Sequence, residues 1–150
     1  MRSTLARGRE TDDARRLEVQ RLLTVTVEWA SRRSDVRGVA LVGSWARGTA
    51  EMGSDVDLVV LTFHVDRYAA DEEWTRDLGA EAILRTAAWG AVTERRVRAA
   101  SGLEIELNLA PPHWAAIYPI DPGTRSVVAG GMRVLHDPDG LLRALARMLP

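Results

Sequence analysis

The stretch VALVGSWARGTAEMGSDVDLVVL, Val39 to Leu61, sets two apolar runs around a Gly-Ser step and places Asp55 and Asp57 at the head of the second run. Both runs have the length and β-branched content of buried strands. In a strand, residues i and i+2 point to the same face, so the two carboxylates stand close together. Like charges at that range repel and raise each other's pKa unless a cation neutralises them. Two aspartates heading a buried strand are a liability, and a metal ion is the obvious remedy.

The rest of the chain narrows the setting. A length of 150 residues is that of one domain with a substantial core. A net charge of −1 argues against a polyanion-binding surface, so nucleic acid is not indicated as a partner. All twenty basic residues are arginine, which, with abundant Ala, Gly and Val, reads as the mark of a GC-rich genome. Any phosphate clamp or general base in this chain is therefore not a lysine. The absence of cysteine excludes disulfides, cysteine nucleophiles and thiolate metal sites. No apolar run approaches the roughly 20 residues of a membrane span, and no signal-type apolar core opens the chain. The expected location is the cytoplasm.

Residues 1–11 are polar and are expected to be a flexible N-terminus, with a single domain over 12–150. From Asp12 to Arg32, Val19, Leu22, Leu23, Thr26, Trp29 and Ala30 recur at helical spacing and predict one long amphipathic helix. Val36–Val42 and Val56–Leu61 are expected strands, joined by the turn GSWARG and a polar loop over 49–54. HVDRYAADEEWTRDLG reads as a loop with a short helix ending at Gly79. Ala82–Trp89, Val92–Ala99 and Leu103–Leu109 are expected strands, the last two a hairpin about AASG. Asp121-Pro122 predicts a helix N-cap with proline at the first helical position. A short strand over Met132–Leu135 and a terminal helix opening near Pro138 complete the chain. The expectation is a single α/β domain of the α+β kind, with helices against a mixed sheet.

Three features converge on one chemistry. Gly43 lets the backbone approach a ligand closely, and if SWAR opens a helix, its free N–H groups with the Ser44 hydroxyl attract phosphate. Asp55 and Asp57 share a face. The segment GLEIELNLA alternates Leu103, Ile105, Leu107 and Leu109 with Glu104, Glu106 and Asn108, so a third carboxylate can join the first two. Three carboxylates beside a phosphate cradle suit a two-metal site for phosphoryl or nucleotidyl transfer. Arg47 reads equally as a phosphate ligand or a surface arginine. Arg95 and Arg96 are expected to pair with Glu94 or Glu104. Of the five tryptophans, Trp45 alone stands where it could stack on a base. His64, His113 and His136 have no metal-binding spacing.

Gly43-Ser44 followed by SDVDLVV resembles the hG[GS]…DhDh pattern of the DNA polymerase β-like nucleotidyltransferase superfamily. GSWARGTAEMGSDVDLVVL is most similar to its small prokaryotic members, the minimal nucleotidyltransferases. The resemblance implies a mixed sheet flanked by helices and transfer of a nucleoside monophosphate from an NTP, ATP foremost, to a hydroxyl acceptor on a small molecule or protein. It implies Mg²⁺ or Mn²⁺ held by Asp55, Asp57 and a third acid, with Gly43, Ser44, Arg47 and Ser54 at the nucleotide. In relatives with a G-x-x-I-D-L third strand, the acid lies four residues after the glycine. Counted from Gly102, that residue is Glu106, with Glu104 as the alternative, and it is glutamate where many members have aspartate. The resemblance also admits a protein partner or homodimer, an antitoxin role beside a HEPN toxin, or a catalytically silent nucleotide-binding module.

Overall fold

The computed structural model describes residues 3–150. Helix α1 (Thr4–Ser31) opens on Ser3, whose hydroxyl accepts a hydrogen bond from the Ala6 amide at 3.2 Å. The helix starts eight residues ahead of the expected Asp12, so residues 4–11 are helical; residues 1 and 2 lie outside the described part. Its first half finds no core to bury against, and the helix continues into solvent from its Ser3 cap. The buried positions are Val19, Leu22, Leu23, Thr26, Trp29 and Ala30, the predicted stripe. Thr26 satisfies its buried hydroxyl by donating to the Leu22 carbonyl at 2.7 Å.

Strand β1 (Val36–Val42) leads through the single turn α2 (Ser44–Arg47) to β2 (Val56–Thr62). The expected loop and helix after it form two short helices, α3 (Val65–Ala70) and α4 (Glu73–Asp77). Next come β3 (Ala80–Trp89), β4 (Val92–Ala99) and β5 (Glu104–Ala110), then a 3₁₀ turn over Pro112–Ala115. The chain closes with α5 (Pro122–Ala129), β6 (Met132–His136) and α6 (Leu141–Met148). Asp121 caps α5 as predicted, accepting from the Thr124 amide. α6 starts three residues after Pro138, and the Asp137 carboxylate accepts from its Leu142 and Arg143 amides.

The six strands form one sheet in the order β3-β4-β5-β2-β1-β6, with β2 and β5 parallel and every other pair antiparallel. On one face, α1, α3 and α4 bury Leu41, Leu58, Val60, Ile105, Leu107 and Leu109. Trp29, Tyr68 and Trp74 mesh beneath them, Trp29 stacked on Trp74 at 5.4 Å and Tyr68 edge-on to both. On the other face, α5, α6 and the 3₁₀ turn seal Ala40, Val42, Val59, Leu61 and Ala110. That second layer packs over the β6-β1-β2 half. The face of β5 and β4 beside it borders a cleft of about 740 Å³. The period-2 alternation of β5 decides which residues meet the cleft: leucines go to the core, and Glu106 and Asn108 line the opening.

Candidate active site

Asp55 immediately precedes β2, and Asp57 is its second residue. Parallel pairing sets Asp57 directly beside Glu106 of β5. As a result, one carboxylate oxygen from each of Asp55, Asp57 and Glu106 lies within 4.8 Å of the other two. Glu104 lies outside this group and pairs with Arg96 at 3.8 Å. Sequence spacing alone left the two glutamates open; the register of β2 against β5 separates them.

The three acids are not equivalent. Asp57 is pushed up to about 7, first by burial, then by the charges of Asp55 and Glu106, against the opposing pull of Arg96. Its Oδ1 is buried without a hydrogen-bond partner among the described residues. Its Oδ2 presses on Gly43, where a Cβ would overlap it. Gly43 has φ +74° and ψ −156°, a conformation essentially reserved for glycine. The glycine of the Gly-Ser step thus makes room for Asp57 itself, in addition to any ligand. Gly43→Ala is expected to lower stability by about 1–3 kcal/mol through backbone strain and to displace the Asp57 carboxylate. Urea denaturation checks the first effect and Mn²⁺ titration the second.

The other implicated residues are placed as follows. Ser44 opens α2, a single turn in which the Ala46 and Arg47 amides donate to the Gly43 carbonyl at 3.1 and 3.0 Å. Arg47 is committed to structure: it donates to the Gly130 carbonyl at 2.8 Å and to Thr49 Oγ1 at 3.1 Å, and its backbone packs on Gly131. It still lines the cleft. The Ser54 hydroxyl accepts from the Glu51 amide and closes the 51–54 turn. Trp45 is half-buried, donates from Nε1 to the Ser54 carbonyl at 3.4 Å and packs against the core.

The expected pairing of Arg95 and Arg96 needs correction. Arg95 is 3% exposed and ties down the α3–α4 segment by donating to the carbonyls of Tyr68, Ala69 and Asp71. Glu94 instead takes Arg85 and the Trp89 indole N–H. Arg96 does approach Glu104, but its closer contacts are Asp55 Oδ2 at 2.9 Å and Glu106 Oε2 at 3.0 Å. The hairpin turn carried the signal: the pairing that puts Arg98 opposite Glu104 puts Arg96 opposite Glu106. Beyond Asn108, the residues Trp89, Glu94, His113, Asp121 and Thr124 extend the cleft, a wall that no sequence motif announced.

The donor set fits a hard divalent cation. It offers only oxygens, carries more negative charge than Arg96 offsets, and includes a buried oxygen with no partner. Without metal, the raised Asp57 has a sign that can be checked. A carboxylate whose folded pKa exceeds its unfolded value favours folding below the unfolded value, and that contribution is lost as pH rises through the folded value. Stability of chelator-treated protein is expected to fall between about pH 4 and 7 more steeply in wild type than in Asp57→Asn, read by thermal melts across that range.

The family model for the nucleotidyltransferase domain matches residues 25–120, which span β1 to β5, the Gly43-Ser44 turn and all three acids. No curated protein matches the chain. Among solved structures, an aminoglycoside 6-adenyltransferase from Bacillus subtilis is similar at 16% identity and a TM-score of 0.49, over 63% of this chain and 35% of that one. The chain thus spans about a third of that protein's length. With the family model covering more than half of the sequence and all three acids, the chain belongs to the nucleotidyltransferase domain family.

Proposed function

We propose that this protein transfers a nucleoside monophosphate from an NTP, ATP foremost, to a hydroxyl acceptor with the help of Mg²⁺ or Mn²⁺. The observation that carries this reading is the convergence of Asp55, Asp57 and Glu106 within 4.8 Å at the mouth of the cleft, beside the Gly43-Ser44 turn. A divalent ion bound there would draw charge from the triphosphate and acidify the attacking hydroxyl. Asp55, Asp57 and Glu106 would hold it. The amides opening α2 and the Ser44 hydroxyl would hold phosphate oxygens, with backbone close to the ligand because residue 43 is glycine. Glu106 would orient the acceptor hydroxyl and receive its proton. The acceptor oxygen forms a bond to the α-phosphorus, the bond from that phosphorus to the bridging oxygen breaks, and pyrophosphate leaves with the electron pair.

Support for this reading comes from the family, from an all-oxygen donor set, and from a cleft large enough for a nucleotide and part of an acceptor. No feature of the fold favours the antitoxin or silent-module alternatives. Incubation with α-labelled ATP, Mg²⁺ and fractionated cell extract should move label into an acceptor with matching pyrophosphate release. Movement of γ-label instead would make the protein a kinase. Label that stays in ATP with every fraction, while nucleotide is bound, would make it a binding module.

A further inference from the structure

We propose that Arg96 is an internal cation that occupies the acidic cluster in the metal-free protein and must give up its contacts with Asp55 and Glu106 as a divalent ion enters. It thereby sets the affinity of the site for metal. The proposal rests on the metal reading above and adds a residue the motif does not contain. Across the sheet, one row of side chains runs Asp57, Glu106, Arg96, Arg85, set by the register of four adjacent strands. Arg85 is spent on Glu94, so Arg96 is the guanidinium facing the acids.

Its fork spans two carboxylates that belong to different elements. One nitrogen lies 2.9 Å from Asp55 Oδ2 and another 3.0 Å from Glu106 Oε2, with the side chain only 24% exposed. A guanidinium suits this task because it stays charged and presents a planar set of donors that bridges carboxylates. It reaches past Glu104 at 3.8 Å but makes no bond to Asp57, whose Oδ1 remains without a partner. One positive charge therefore holds the outer two acids in place and leaves the inner one without an ion pair among the described residues. An ion shared by all three acids needs lone pairs that Arg96 engages, and it meets a fixed positive charge beside it. Arg96 thus preorganises the acids and competes for them, which makes it a positioning residue.

The test is Mn²⁺ binding without nucleotide, followed by the electron paramagnetic resonance signal of the free ion. Arg96→Gln should bind Mn²⁺ about tenfold more tightly than wild type, the order expected when two part-exposed ion pairs no longer compete. Arg98→Gln loses the same charge from the same strand, opposite Glu104, and should stay within about twofold of wild type. Arg96→Lys keeps the charge without the fork and should fall between them. Unchanged or weaker binding in Arg96→Gln, or an equal gain in Arg98→Gln, overturns the proposal. Should Arg96→Gln fail to fold, the Nε–Hε resonance of Arg96 in wild type decides. It should shift as Mg²⁺ is added and saturate with the ion, and a resonance that does not move overturns the proposal. If wild type and all variants leave Mn²⁺ free, the metal reading itself falls; if the ion binds and Arg96 has no influence, only this proposal does.

Discussion

Asp57→Asn is expected to abolish nucleotidyl transfer, by roughly 10³-fold or more, and to remove metal-dependent ATP binding. The same substitution should stabilise the protein when metal is absent. Asp57 is crowded by two like charges, pushed up to about 7, and carries a buried oxygen that nothing satisfies. An amide of the same shape removes the repulsion, and a gain of about 1 kcal/mol would raise the melting temperature of a domain this size by about 2–4 °C. Asp55→Asn should be equally inactive but gain no such stability, because it gives up its ion pair with Arg96. Calorimetric titration with Mg²⁺ and ATP, beside thermal melts in chelator, separates the two. ATP binding preserved in both variants would remove the aspartates from the site.

Glu106→Gln is expected to lower transfer by about 10³-fold while weakening ATP binding less than tenfold. The reason lies in when its charge matters. A group that takes or orients the acceptor proton acts mostly in the transition state, even where it also touches the metal, whereas groups that only hold metal and nucleotide act in both states. Glutamine keeps the side-chain shape and can still accept a hydrogen bond from Arg96 through its carbonyl oxygen, so the sheet should be undisturbed. Glu104→Gln should cost less than tenfold in rate, since Glu104 lies outside the three-acid cluster. A paired measurement of single-turnover rate and ATP affinity checks both. The reverse order of severity would mean that Glu104 is the third acid.

These expectations draw on parts of the molecule that differ in how openly the sequence shows them. The α1 stripe from Val19 to Ala30 was legible because burial on one helix face leaves a 3.6-residue period. The alternation of β5 was legible for the corresponding reason: it set Glu104, Glu106 and Asn108 on one face, of which Glu106 and Asn108 line the cleft. The start of α1 was not, because residues 4–11 extend the helix from a Ser3 cap with no buried apolar face to mark them. The contact between Asp57 and Glu106 depends on a parallel pairing of strands 48 residues apart between their first residues, 56 and 104, and no local pattern encodes which strands become neighbours. The bonds of Arg47 to Gly130 and of Arg95 to the α3–α4 carbonyls are tertiary in the same sense. A lone arginine carries no sign of which distant carbonyl it will meet. Gly43 was singled out for its place in the motif, but the atom it accommodates, Asp57 Oδ2, became visible only in three dimensions.

The most direct test of the central claim is a crystal structure with Mn²⁺ and a non-hydrolysable ATP analogue, collected at a wavelength where manganese scatters anomalously. The account predicts an anomalous peak within about 2.0–2.6 Å of oxygens from Asp55, Asp57 and Glu106, with the triphosphate against the Gly43-Ser44 turn. Manganese and nucleotide bound elsewhere, with Arg96 still bridging Asp55 and Glu106, would contradict it.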